Sequence, residues 1–204
     1  MAERKSEPRL YSEDEYLALD SDLDVRYEFF DGHVVAMAGA GDKHVIITGQ
    51  AVTALNNRLA DTFCHAGSSD MRVQLENTPN YVFPDVVVWC DDARWADKAR
   101  NTLLSPQIVI EGLSASTGHR DGSYKLELYK QIPSLMDYLI VSQNRVYIEH
   151  FRRGDEENKW DNFSYYRRDQ IIRLGFMNLQ IPVQEIYRRV DVPEQMIIFE
   201  EMEE

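Results

Sequence analysis

Two uninterrupted runs of β-branched residues organise the chain, Val86-Val87-Val88 and Ile108-Val109-Ile110. Runs of this kind read as strands buried on both faces. An acid bounds each of them, Asp85 before the first and Glu111 after the second. Upstream, Ser12 and Glu15 have capping-box spacing, and Tyr16, Leu17 and Leu19 give a helix over Glu13 to Leu19 an apolar face. Tyr27-Glu28-Phe29-Phe30, the turn pair Asp31-Gly32 and the run His33 to Met37 predict a hairpin with Glu28 on its first strand. Val45, Val52, Leu55, Leu59 and Phe63 recur at helical spacing, which predicts a long central helix with His44 in its first turn.

Extended pieces follow at Met71 to Leu75 and Tyr81 to Trp89, with turn residues Asn77, Pro79 and Asn80 between them. Asp91 to Ser105 is polar and irregular, and reads as a surface connection. A loop rich in Ser, Thr and Gly, Ser114 to Gly122, leads into a helix over Asp121 to Gln131 that carries Lys125 and Tyr129. A strand at Met136 to Val141, a hairpin of Arg145 to Arg152 with Lys159 to Tyr166, and a helix over Val183 to Val190 complete the pattern. The fold class is α/β, a mixed central β-sheet flanked by helices. The chain divides into a tail over 1–10, a single domain over 11–190 and an acidic tail over 191–204.

Composition changes this picture in two places. Cys64 and Cys90 sit in apolar neighbourhoods without a zinc-like spacing, so they read as small buried hydrophobes of a cytoplasmic protein. Neither an apolar leader nor a bilayer-length apolar run is present, so no membrane partner is expected. The net charge of -13 runs against a protein that neutralises nucleic-acid phosphates. Against it, Arg152, Arg153, Arg167, Arg168, Arg173, Arg188 and Arg189 gather late in the chain and offer a basic face through charge segregation.

The two acids carry the chemistry. A carboxylate closing a β-branched run is desolvated, and must be neutralised or matched by a specific partner. A divalent cation shared by Asp85 and Glu111 is the simplest partner, since hard oxygen ligands hold Mg²⁺ with water completing the shell. The alternatives are ordinary ones. Asp85 can satisfy backbone amides after Pro84, Lys125 can be a solvated helix lysine paired with Asp121, and His44 can be a polar helix cap.

Pro84-Asp85, Glu111-Gly112-Leu113-Ser114, Ser116-Thr117 and Asp121 with Lys125 and Tyr129 resemble the Uma-type family of proposed restriction endonucleases, a branch of the PD-(D/E)XK nuclease superfamily. Tyr27-Glu28, Asp31-Gly32, Met37 to Ala40, His44, Ser69 to Val73 and Ile132 to Leu135 are similar in order and spacing, so the resemblance covers about Tyr11 to Tyr187. It implies a restriction-endonuclease-like fold and a Mg²⁺-dependent endonuclease, with Mn²⁺ as a possible substitute, that hydrolyses DNA phosphodiester bonds. Asp85, Glu111 and the Gly112 carbonyl become the metal ligands, Lys125 orients water or stabilises charge, and Glu28 is an accessory carboxylate. His44 contacts a phosphate, and Tyr129 packs or hydrogen-bonds beside Lys125.

This chain departs from the family pattern at several positions. Gly112 stands where a β-branched aliphatic is usual, Gly118 where an acid is frequent, and Gly122 where an Arg is frequent. Leu113 holds the strand position usual for the superfamily lysine, which makes Lys125 on the helix its replacement. A non-enzymatic binding or assembly module that keeps the fold is the alternative, favoured by the acidity. A carboxylate-pair glycosidase ranks third, because it leaves Lys125 without a role. A homodimer is expected from the aromatic content of the late hairpin, Tyr147, Phe151, Trp160, Phe163, Tyr165 and Tyr166.

Overall fold

A computed structural model describes residues 9–22, 25–37, 39–75, 78–113, 119–156 and 158–194, with the backbone alone at 20–22 and 119–123. Most of both terminal tails, and Ser114 to Gly118 of the predicted loop, lie outside these residues.

The centre is a six-stranded mixed sheet in the order β11-β10-β9-β8-β6-β3, formed by β3 (Cys64–Ser68), β6 (Val86–Cys90), β8 (Ile108–Leu113), β9 (Asp137–Ser142), β10 (Ile148–Arg153) and β11 (Trp160–Tyr165). Only β8 and β9 run parallel among these pairs, joined by helix α3 (His119–Lys130) as the crossover. Val86, Val87, Val88, Ile108 and Val109 are fully buried, as their uninterrupted runs predict. Alternate residues face two cores. Val86, Val88, Ile108 and Ile110 meet helix α2 (Asp42–Leu59), whereas Val87, Val109, Tyr138 and Ile140 meet α3.

A second sheet of five strands closes the α3 side, in the order β2-β1-β5-β4-β7. Its strands are β1 (Tyr27–Phe30), β2 (His33–Ala36), β4 (Arg72–Leu75), β5 (Asn80–Val82) and β7 (Thr102–Leu103). The run from Tyr81 to Trp89 is therefore two strands in two sheets. Pro84 lies where the chain crosses from one to the other, and proline cannot donate to a ladder there. The polar segment after Asp91 hides β7, which is buried and pairs in parallel with β4.

Local signals behave as their chemistry requires. The Ser12 N–H donates to Glu15 and the Glu15 N–H to Ser12 Oγ, which starts α1 (Glu13–Asp22) with a capping box. Asp31 (φ 46°) and Gly32 (φ 88°) both turn left-handed between β1 and β2. In α2 the buried face is Ile47, Ala51, Ala54, Leu55 and Leu59, while Val45 is 57% and Phe63, beyond the helix end, 79% exposed. The small side chains of Ala51 and Ala54 let this helix approach the sheet.

The last helix is shorter than predicted, α4 (Val183–Ile186), and it follows a small hairpin of β12 (Ile171–Arg173) and β13 (Gln180–Pro182). Asp137, wholly buried, accepts from the Gly175 and Phe176 amides and from His150 Nε2, and so fastens this hairpin's turn to the central sheet. The edge strand β3 is protected by Asn56 of α2, whose amide group donates to and accepts from the Ala66 backbone.

One expectation needs correction. Cys64 and Cys90 are directly opposite on β3 and β6 and form a disulfide, so they are not free buried thiols. The pairing removes the cysteine argument for a reducing compartment. Three of the late arginines make internal contacts. Arg153 donates to the carbonyls of Leu135, Lys130 and Ile132, Arg168 to those of Tyr187, Val190 and Val192, and Arg167 pairs with Asp169.

The late-hairpin aromatics pack within their own chain. Phe151 and Trp160 join one core and Phe163 the other, Tyr165 is buried, and Tyr147 lies against Tyr166. None of the six is strongly exposed. Among the described residues no helix is long and apolar enough to cross a membrane.

Candidate active site

Five elements converge on one end of the central sheet. Asp85 sits at the crossing between the two sheets, immediately before β6, and Glu111 lies near the end of β8, which pairs antiparallel to β6. Antiparallel pairing places the beginning of one strand beside the end of the other, which is why acids on opposite flanks of their runs meet. Glu28 comes from β1 of the second sheet, Lys125 and Tyr129 from α3, and His44 from the first turn of α2.

Lys125 Nζ donates to Glu28 Oε1 at 2.7 Å and lies 3.7 Å from Glu111 Oε1. Residues 125 and 129 are one helical turn apart, so Tyr129 points the same way. Its hydroxyl donates to Glu111 Oε1 at 3.1 Å, and its ring packs on Tyr138 at 5.0 Å. Asp85 is held at both oxygens: Oδ1 by His44 Nε2 at 3.1 Å, and Oδ2 by the Gly112 N–H at 2.7 Å. Glu28 Oε1 also receives the Phe83 amide at 3.4 Å.

The electrostatics follow from this enclosure. Burial pushes the Glu111 carboxyl up to about 7, against the pull of Lys125, and the negative Asp85 and Glu28 add to the rise. For Lys125, burial opposes the charge, but Glu111 and Glu28 outweigh it and hold the ammonium above its ordinary range. The hydrogen bond to Asp85 raises His44 despite its burial. Burial beside Glu111 keeps the Tyr129 hydroxyl protonated far above its usual range.

All the predicted site residues are thus brought together, with their contacts redistributed. Lys125 takes Glu28 as its direct partner and keeps Glu111 within ion-pair reach at 3.7 Å. His44 spends Nε2 on Asp85, a contact that neither the helix-cap nor the phosphate reading includes. Tyr129 is wholly buried and orients Glu111, so it offers no surface to a substrate. Gly112 meets the site through its N–H. The fastening of α3 to the first hairpin, by the Tyr124 hydroxyl on Asp31 Oδ2 at 2.6 Å, left no signal in the periodicity. Asp70 pairs with Arg26, and Arg72 donates to Thr102.

Among the described residues no three His, Cys, Asp or Glu side chains form a metal-binding group. The donor chemistry nevertheless fits Mg²⁺, which commonly takes one or two carboxylates and keeps several waters. Glu111 is a buried carboxyl beside two other acids, and a nearby cation is what would keep it ionised.

With this geometry in place, comparison with known proteins decides the family. The profile of Uma2, described as "Putative restriction endonuclease", matches residues 13–184. The chain belongs to the Uma2 family. The uncharacterized protein slr1290 of Synechocystis is 35% identical over 181 residues, covering 89% of this chain and 93% of its own. A second Synechocystis protein, the uncharacterized sll1609, is 27% identical over 166 residues, covering 81% of this chain and 93% of its own. A crystal structure described as a putative nuclease belonging to DUF820, from Anabaena variabilis, aligns with a TM-score of 0.69. It covers 88% of this chain and 98% of its own at 15% identity, a likeness that speaks to fold alone. The Uma2 chain thus has a mixed α/β fold shared with a nuclease-like structure.

Proposed function

We propose that this protein is a metal-dependent endonuclease that hydrolyses phosphodiester bonds in DNA. The observation that carries the reading is the meeting of Asp85, Glu111 and Lys125, from three separate elements, at one end of the central sheet. Asp85 and Glu111 would hold Mg²⁺, or Mn²⁺ in its place, with the Gly112 carbonyl as a further proposed ligand. Such an ion, when bound, polarises a phosphate oxygen and acidifies a bound water.

The chain's own groups perform the remaining work. Lys125, kept cationic by Glu28 and Glu111, supplies positive charge to the phosphate as water adds to phosphorus and the leaving oxygen departs. Glu28 holds that ammonium in place, and Tyr129 orients Glu111 by donating to it. His44 and the Gly112 amide fix the plane of Asp85. Action on cellular DNA would place the protein in the cytoplasm. A two-fold dimer would place two such sites on the two strands of a duplex, and sedimentation across micromolar concentrations tests it.

Incubation of the purified protein with supercoiled and linear DNA, with Mg²⁺ or Mn²⁺, tests the function, with Asp85→Asn as the control. Nicking or linearisation that requires the ion and Asp85 is the expected result. Cleavage that persists in excess chelator would overturn it. A second reading, a binding or assembly module that keeps the nuclease fold, draws on the net charge of -13 and the internal contacts of three late arginines. Absence of any cleavage together with retained, salt-sensitive DNA binding would favour that reading.

A further inference from the structure

Gly112 has no room for a side chain. A Cβ built on it would lie 2.6 Å from His44 Cε1, 2.7 Å from His44 Nδ1 and 3.3 Å from Asp85 Oδ2. The imidazole of α2 therefore occupies the space that any other residue at position 112 would fill. From there its Nε2 reaches Asp85 Oδ1 at 3.1 Å, while the Gly112 N–H reaches Oδ2 at 2.7 Å. A carboxylate only accepts, so Nε2 carries the hydrogen. The His44 and Asp85 side chains retain only 14% and 15% of their exposure.

We infer that His44 is a positioning residue for Asp85, and that Gly112 is the residue that admits it. The inference rests on the metal-site reading above. Two donors, one on each oxygen, stop rotation of the carboxylate about its last bond. The remaining lone pairs then point in fixed directions for a divalent cation. Nε2 is consumed in that contact, and Nδ1 lies against the backbone of β8, so His44 holds a ligand and is not itself a ligand. Outer hydrogen bonds of this kind typically affect metal affinity by about 10- to 100-fold.

The assignment also makes the glycine specific. A β-branched residue at 112 must displace the ring, so Gly112→Val and His44→Ala remove the same contact by different routes. In the His44→Ala background the ring is gone, and the added side chain has space to enter.

The test is Mn²⁺ binding, measured by electron paramagnetic resonance of free Mn²⁺ with no DNA present. Melting temperature and circular dichroism report on folding of each variant. His44→Ala is expected to weaken Mn²⁺ binding by about tenfold or more. His44→Gln, which returns a non-titrating donor near the Nε2 position, is expected to recover most of it. Gly112→Val should match His44→Ala, and the double variant should be no weaker than either single one.

Wild-type affinity in His44→Ala, or losses that multiply in the double variant, would overturn the inference. Equal losses in His44→Gln and His44→Ala would also overturn it, since the donor is then not what matters. Failure of the wild-type protein to bind Mn²⁺ would instead remove the metal reading itself, and this inference with it. Should Gly112→Val not fold, the two His44 variants decide alone.

Discussion

Lys125 donates to Glu28 at 2.7 Å, across the gap between α3 and the second sheet, and this contact sets how the ammonium faces Glu111 at 3.7 Å. Glu28 is therefore a handle on the lysine. Glu28→Gln keeps the shape but frees the cation, and turnover should fall by about 10- to 100-fold with Mn²⁺ affinity changed less than threefold. If Glu28 instead ligates a second ion, the measured Mn²⁺ stoichiometry will drop with the mutation.

Lys125→Met removes the only described lysine in the cluster and leaves Glu28 and Glu111 facing each other. Breaking a largely buried pair in this way costs about 3 kcal/mol. The urea midpoint should fall accordingly. Turnover should be lost while Mn²⁺ binding is retained or strengthened, because a cation repels the metal. Equal loss of both would indicate a collapsed site.

Glu111→Gln and Asp85→Asn should each abolish metal-dependent cleavage, yet differ in stability. Glu111→Gln removes a buried charge from a group of acids, so its metal-free melting temperature should equal or exceed that of wild type. Asn at 85 has one acceptor where Asp85 uses two, and both contacts survive only if His44 changes tautomer and accepts. Asp85→Asn should therefore be the less stable of the two. Thermal melts of both variants in chelator check the order.

How much of this was legible depended on whether a residue's signal is local. Capping by Ser12 and Glu15, the Asp31-Gly32 turn and the buried Val and Ile runs follow from chain-local sterics, and appear where the pattern puts them. Asp85 and Glu111 could be found because a charge bounding an apolar run demands an explanation, whereas Glu28 entered only through the family resemblance. Which partner each group takes is set by tertiary placement, and no spacing encodes that Glu28 from another sheet reaches Lys125. The Cys64–Cys90 bond was hidden because β3, Cys64-His65-Ala66-Gly67-Ser68, has almost no strand-forming residues. Its Gly67 is needed by packing instead, since a Cβ there would meet the Trp89 ring at 2.8 Å.

Glu111 also predicts a pH dependence. Its folded carboxyl titrates at about 7, through burial and the neighbouring acids, against an ordinary value of 4.5. Between those values the folded protein holds a proton that the unfolded chain has released, so stability falls as pH rises through this window. The contribution is fully present below 4.5 and lost above about 7. Metal-free protein should melt progressively lower across that range, Glu111→Gln should flatten the decline, and Mn²⁺ added above the window should restore the melting temperature. A wild-type profile no steeper than that of the variant would show that Glu111 ionises freely.

The disulfide offers a check that is independent of catalysis. Cys64 and Cys90 close a loop with a sequence separation of 26, and cross-linking a loop of this size stabilises a protein by about 3 kcal/mol, chiefly by restricting the unfolded chain. Cys90 ends β6, whereas Asp85 precedes its first residue, so the bond and the site lie at opposite ends of one strand. Replacing both cysteines by alanine should lower the urea midpoint by the equivalent of about 3 kcal/mol. Mn²⁺ affinity and cleavage should be unchanged, since the Asp85 end of β6 is held separately by its pairing with β8 and by His44. Thiol titration of the denatured wild-type protein, purified under non-reducing conditions, should find no free cysteine. Two reactive thiols, or a double variant as stable as wild type in the absence of reductant, would show that the strands are held by their hydrogen bonds alone.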